Sequence, residues 1–283
     1  MMEKIGIVID STVYLDDETI KKHNMKVVSL NVIDGETSYK ETEISSDFAY
    51  QRQDENAKLT TSQPAPQEFL DAYEALFEEG YEKVIGLNLS KGLSGTYQSA
   101  LLARNMSKKS EDIHILDTEN AAYGNELLAL ALIKILKEES TFETVIQRME
   151  AIIKHSGLFF TVENLHSLQK GGRLSRAQAL VGTVLRIKPI IRLQEGKLQL
   201  WHKERTHKKV ITKMVDAVKK DEKKDAKLYF RIINKQSIDN ANALKDALLE
   251  QYPDAEYTIQ DYLGPVFAIH VGKKGFGMAW YFE

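Results

Sequence analysis

The sequence predicts an α/β protein of two domains. An N-terminal Rossmann-like parallel sheet with helices on both faces is expected over residues 1–157. A C-terminal α/β domain with a β-hairpin is expected over 158–283. Three observations lead there. Short β-branched runs (5–9, 83–87 and 113–116) alternate with segments of helical period, the pattern of a covered parallel sheet. These runs end in polar residues, as at Asp10-Ser11-Thr12 and Asp117-Thr118, where open sheets carry their ligands. At Gly157 the pattern changes, and Glu195-Gly196-Lys197 then separates two apolar runs as a hairpin turn does.

In chain order, strand 5–9 leads to a helix over 16–23 and a strand over 25–32, with a turn at Asp34-Gly35-Glu36. A short helix over 45–53 is capped by Ser45 or Ser46. Pro64 and Pro66 hold Thr61 and Ser62 in a loop, and Pro66 suits the first position of a helix that closes at Gly80. Strand 83–88, a loop of small and hydroxyl residues and a helix through Ala100 follow. Beyond strand 113–118 comes an apolar helix over 123–138, then a capping box at Ser140-Thr141-Phe142-Glu143 opening a helix to about His155. The second half reads as strand 158–162, short helix 164–169 and a glycine turn at 170–175. A second capping box, Ser175 with Gln178, opens a helix to about Arg186. After the hairpin come helix 206–219, strand 228–233, helix 240–251, and strands 255–260 and 266–271.

Composition narrows the function. The 283 residues are 43% hydrophobic with net charge −3, enough for sizeable cores and without a basic field for nucleic acid. There is no cysteine, so disulfides and thiolate chemistry are out, as in a reducing compartment. The opening Met1-Met2-Glu3-Lys4-Ile5 shows no secretory leader, and no apolar run approaches the ~20 residues of a membrane span. A cytoplasmic protein without a transmembrane segment is expected, which leaves room for transient membrane contact.

The chain is organised around residues 83–100, a strand feeding a helix through Ser90-Lys91-Gly92-Leu93-Ser94-Gly95-Thr96. Free N–H groups and the dipole at a helix start favour an anion, and the glycines allow close backbone approach. Hydroxyl pairs recur beside helix starts at Ser11/Thr12, Thr61/Ser62 and Ser94/Thr96. Each pair alone reads as capping; together at one sheet edge they read as one polar pocket. Gly92-Leu93-Ser94-Gly95-Thr96 nearly spells a nucleophile elbow, but its last position is Thr. A serine esterase using Ser94 on a small lipid ester is therefore the alternative reading. It lacks an obvious acid for His270, which falls on the apolar run 266–271. No Walker-type phosphate loop and no H-E-x-x-H zinc spacing occurs. Lys170, Arg173, Arg176, Arg186, Lys188, Arg192 and Arg205 make the second half locally basic, either a solvated face or a docking surface for an acidic or phosphate-bearing partner.

Six pieces in order carry a resemblance: Asp10-Ser11-Thr12, Thr61-Ser62-Gln63-Pro64, Leu93-Ser94-Gly95-Thr96-Tyr97-Gln98-Ser99-Ala100, Lys170-Gly171-Gly172-Arg173-Leu174-Ser175, Lys188-Pro189-Ile190-Ile191 and His270-Val271-Gly272. The sequence resembles the DegV family of bacterial lipid-binding proteins along essentially its full length, and within it the fatty-acid-binding subunit of fatty acid kinase. The resemblance implies one long-chain fatty acid between two domains and no other cofactor or metal. It also implies a separate kinase that turns the carboxylate into an acyl phosphate for phospholipid synthesis, so the chain itself is not an enzyme. By the family motif, Thr61, Ser62 and Ser94 hold the carboxylate with His270 close by, and Ser11, Gly95 and Thr96 lie next to the pocket. Arg173 matches a position tied to docking the kinase, and Arg205 a looser one. Lys273-Lys274 stand where the family usually has Pro-Gly, placing two cations near the expected head group. Leu127, Leu128, Ala131, Leu132 and the 180–185 helix are candidates for either tunnel lining or core.

Overall fold

The computed structural model describes residues 3–138, 141–163, 165–175, 187–222 and 226–283. The first sheet is parallel, in the order β2-β1-β6-β7, from β1 (Ile5–Asp10), β2 (Lys26–Val28), β6 (Lys83–Asn88) and β7 (Ile113–Asp117). Helices α3 (Pro66–Glu78) and α4 (Thr96–Met106) cover one face, where Phe69, Tyr73 and Leu76 pack against Val8, Val84 and Ile115. Pro66 opens α3, and Gly80 (φ 82°) follows its end in the left-handed conformation that glycine adopts freely.

On the other face lies α5 (Tyr123–Glu138), apolar nearly all round. It is shared with a second, six-stranded sheet of order β10-β9-β8-β13-β11-β12. That sheet is built from β8 (Ser156–Val162), β9 (Lys188–Gln194), β10 (Lys197–Glu204), β11 (Leu228–Lys235), β12 (Glu256–Gln260) and β13 (Gly275–Phe282). All its pairings are antiparallel except β11 with β12. Helices α8 (His207–Asp221) and α9 (Ile238–Gln251) cover its far face, and α6 (Phe142–Lys154) packs beside α5. The largest apolar cluster therefore joins Ile85 and Leu87 of the first sheet to Leu158, Ala279 and Tyr281 of the second, through Leu127, Leu128, Ala131 and Leu132.

A third, three-stranded sheet sits at the strand-end edge: β4 (Thr37–Lys40), β3 (Asn31–Asp34) and β5 (Thr60–Ser62), all antiparallel. Short helices α1 (Asp17–Lys22), α2 (Ser46–Asp54), α7 (His166–Lys170) and α10 (Pro265–Val271) complete the fold.

Five expectations need correction. Residues 25–32 form two strands, not one, because β2 joins the parallel sheet while β3 turns away to pair with β4 and β5. Thr61 and Ser62 lie on β5 rather than in a loop. Helix α6 is capped by Thr141, whose Oγ1 accepts from the Thr144 N–H at 3.3 Å, so the cap is one residue later than the Ser140 box. Residues 266–271 are helical, because Gly264 enters extended and Pro265 fits the first turn. Strand β13 was not anticipated: buried between β8 and β11, it reads as a continuous apolar run without alternation. The helix expected over 175–186, with its lining residues 180–185 and Arg176 and Arg186, falls on 176–186, outside the described residues.

Candidate functional site

A cavity opens where the strand ends of the first sheet, the third sheet and helix α10 face strands β8, β11 and β13. It offers ≈ 110 Å³ to the centre of a water-sized sphere, several times what one water needs. Its walls are mostly apolar, with Leu30, Leu89, Leu93, Leu158, Phe160, Leu198, Ile233, Val266, Phe267 and Phe276 among them. Of the two places open to them, Leu127, Leu128, Ala131 and Leu132 of α5 take the core; Ala121 and Ala122, just before α5, reach the wall.

The polar residues of the wall include Thr61, Ser62, Gln63, Ser94, Arg173 and His270. Thr61 and Ser62 are held by β5, which pairs Ser62 with Asn31 and Thr61 with Val32. Ser62 Oγ accepts from Asn31 Nδ2 at 3.4 Å, which leaves its own proton to donate. Ser94 sits in the turn between β6 and α4, where its N–H bonds back to the Ser90 carbonyl. Its Oγ accepts from the Thr96 N–H (3.3 Å) and lies 2.8 Å from Thr96 Oγ1. With Thr96 as donor, Ser94 accepts twice and its proton is left for a ligand. Gly95 packs where a Cβ would fall 3.1 Å from the Gln63 amide, so Thr96 and Gly95 support the wall from behind.

His270 lies in the last turn of α10, buried, with Nε2 2.9 Å from Thr61 Oγ1. Burial first, and the Arg173 charge second, push its pKa down to about 4, so the imidazole is neutral at physiological pH. Gly171, just past α7, lets the ring approach, since a Cβ there would fall 2.5 Å from Nδ1. Arg173 spans the turn after α7: Nε donates to the Leu93 carbonyl (3.2 Å) and Nη1 to that of Gly171 (2.6 Å).

The hairpin tip closes the same region. Glu195 (φ 50°) and Gly196 (φ 73°) form the left-handed pair that a two-residue hairpin turn favours. Ser90 Oγ donates to the Gly196 carbonyl at 2.8 Å. A Cβ on Gly92 would fall 2.2 Å from that carbonyl oxygen, so the two turns meet backbone to backbone.

Other expected residues lie elsewhere. Ser11 donates to Glu41 Oε2 (2.5 Å) and is not part of the cavity wall. Arg205 is exposed between β10 and α8. The two lysines part company: Lys273 pairs with Asp54 (Nζ to Oδ2 2.6 Å), while Lys274 borders the cavity. Lys235 was overlooked in sequence; it borders the cavity from the end of β11, with Nζ 4.7 Å from the Tyr50 ring centroid. Burial lowers its pKa and Asp47 opposes the shift.

Hydroxyl protons and a neutral imidazole in the wall of a mostly apolar cavity can hold an anionic head group while its tail stays dry. The arrangement is not a hydrolytic triad. Ser94 bonds to Thr96 and His270 to Thr61, and among the described residues no carboxylate bonds to His270. Among the described residues, no group of His, Cys, Asp and Glu could hold a metal ion, and no helix is long and apolar enough to cross a membrane.

Fold and cavity together define an α/β protein with a pocket for an amphipathic molecule. The chain belongs to the DegV family: the model of that family, described as "Uncharacterised protein, DegV family", matches residues 4–283. A DegV domain-containing protein of Halalkalibacterium halodurans is 35% identical, with all of both chains covered. Among solved structures, a DegV family protein of Thermus thermophilus, described by its fatty acid binding, superposes with a TM-score of 0.90 at 29% identity, covering 99% of this chain and 100% of that one. DegV of Bacillus subtilis, described as a fatty acid binding protein, gives 0.85 at 31% identity, with 100% of both chains covered.

Proposed function

We propose that this protein binds one long-chain fatty acid in the cavity. On this reading Thr61, Ser62, Ser94 and His270 hold the carboxylate and the apolar walls take the tail. The observation that carries it is a mostly apolar cavity whose lining includes the hydroxyls of Thr61, Ser62 and Ser94 and a neutral His270, with Thr61 Oγ1 2.9 Å from His270 Nε2. Relatives at 29% and 31% identity, described by fatty acid binding, support it. A buried carboxylate needs several donors, and hydroxyls supply them without a counter-cation. About fourteen methylenes at ~0.8 kcal/mol each give a gross ~11 kcal/mol of tail burial, before the losses of association.

The finer reading is a cytoplasmic carrier, not a catalyst, whose two lobes (1–157 and 158–283) enclose the lipid. A separate kinase phosphorylates the presented carboxylate, docking over Arg173 and Arg205. Support for this comes from the family motif around Arg173 and the exposed site of Arg205. Native mass spectrometry of protein purified from its host tests the core of it. A bound mass in the range of a C14–C20 acid is expected, and a protein free of lipid that also fails to take up added fatty acid would overturn it.

A further inference from the structure

Glu41 follows β4 and is almost wholly buried, and among the described residues no cation pairs with it. Three donors converge on its carboxylate: Ser11 Oγ at 2.5 Å, Tyr14 Oη at 3.2 Å and the Val266 N–H at 3.3 Å. Ser11 and Tyr14 follow β1, whereas Val266 lies in the first turn of α10 and on the cavity wall. Gly264 makes the contact feasible, since a Cβ there would fall 2.5 Å from Tyr14 Oη and 2.6 Å from Glu41 Oε1. One carboxylate thus fastens the end of β1 to the start of the helix whose last turn holds His270.

We propose that Glu41 is a positioning residue for the site: its carboxylate seats α10, and through it His270, so that proton uptake at Glu41 loosens the grip on the ligand. The inference rests on the fatty-acid-binding reading. The ionised carboxylate accepts all three bonds, and its charge strengthens the one to the helix N–H. A neutral carboxyl must turn one oxygen into a donor and loses that charge.

The groups facing Glu41 let it titrate in the neutral range. Asp10 on β1 repels it, Tyr14 and Tyr262 stand beside it, and Tyr123 of α5 packs on Tyr14 with ring centroids 5.7 Å apart. Burial pushes Glu41 up to about 7, against the pull of Ser11, Val266 and Tyr14. His270, at about 4, keeps its charge state across this window. The sign for stability follows. A carboxyl raised on folding is most stabilising while protonated, below about 4.5, and that contribution is lost as pH rises through about 7. The ionised form is therefore kept at the expense of stability, as at sites tuned for function.

The test is release of a pyrene-labelled hexadecanoic acid from the full chain to excess phosphatidylcholine vesicles between pH 6 and 8.5. Release from the wild type is expected to quicken several-fold as pH falls through about 7. Glu41→Gln is expected to release fast at every pH, with the profile flat and the melting temperature at pH 8 unchanged or higher. Ser11→Ala removes one bond to the ionised form, so its midpoint should move to higher pH. A flat wild-type profile, or a wild-type profile retained in Glu41→Gln, overturns the proposal. So does an unmoved midpoint in Ser11→Ala, which decides alone if Glu41→Gln does not fold. If the wild type takes up no probe at any pH, the lipid reading falls, and this inference with it.

Discussion

Gly171→Ala isolates the part played by His270 without touching the imidazole itself. Gly171 has φ −73° and ψ −8°, a right-handed conformation that alanine adopts without strain. The backbone should gain slightly, since glycine is roughly 0.5–1 kcal/mol worse than alanine in a helical turn. The conflict is with the ring. The added Cβ would stand 2.5 Å from His270 Nδ1, about 0.9 Å inside ordinary contact. The Ser167 carbonyl oxygen, at 3.2 Å, blocks retreat of the methyl on its other side. A ring pushed by that distance cannot keep Nε2 at 2.9 Å from Thr61 Oγ1 or the place proposed for it beside the head group. A hydrogen bond to a charged group contributes about 1.5–3 kcal/mol, so affinity for a long-chain acid should fall roughly 10- to 150-fold. Displacement of a fluorescent fatty acid measures the affinity, and a melting curve of the unliganded protein checks that the fold is intact. Wild-type affinity in a folded Gly171→Ala protein would refute the placing of His270 on the carboxylate.

Ser62→Ala combined with Ser94→Ala removes two donors, about 3–6 kcal/mol if both meet the charge, so affinity should drop roughly 10²- to 10⁴-fold in the same displacement assay. An unchanged affinity would remove both serines from the head-group site. If a kinase docks as proposed, Arg173→Ala should slow acyl phosphate formation by it while lipid affinity changes less than tenfold; a larger loss of affinity would assign the guanidinium to the carboxylate. A serine-reactive phosphonate should leave Ser94 unlabelled, and a stoichiometric adduct there would revive the esterase.

Some of this molecule could be read in advance. Helix α5 shows its full span, Tyr123–Glu138, because a helix packed between two sheets is apolar nearly all round. The β9–β10 hairpin shows in Glu195-Gly196, whose positive φ values suit that turn. Strands β1, β6 and β7 announce themselves as largely buried apolar runs, whereas the short β2, with Val27 exposed, reads as one run with β3. That signal misleads at residues 265–271, where a seven-residue apolar segment fits strand or helix equally. Gly264-Pro265 was the clue to the helix. Thr61, Ser62 and Ser94 were visible as hydroxyls beside helix starts and His270 as the histidine of an apolar run; their role was implied by the family resemblance, and all four line the cavity. Glu41 and Lys235 were not visible in this way. Nothing local distinguishes a buried Glu from a solvated one, and only the tertiary fold sets Glu41 against the start of α10.

The meeting of the β9–β10 turn with the Ser90–Gly95 loop has a consequence for how this chain can vary. Surface turns ordinarily accept extra residues with little penalty. Here the carbonyl of Gly196 is itself the acceptor for Ser90, and Gly92 has no room to spare beneath it. Lengthening this turn, or giving Gly196 a side chain, would act about a hundred residues away in the chain, displacing the Ser90–Gly95 loop that carries Ser94. Sequence drift at the tip is thus constrained by the Ser90–Gly95 loop as well as by the hairpin.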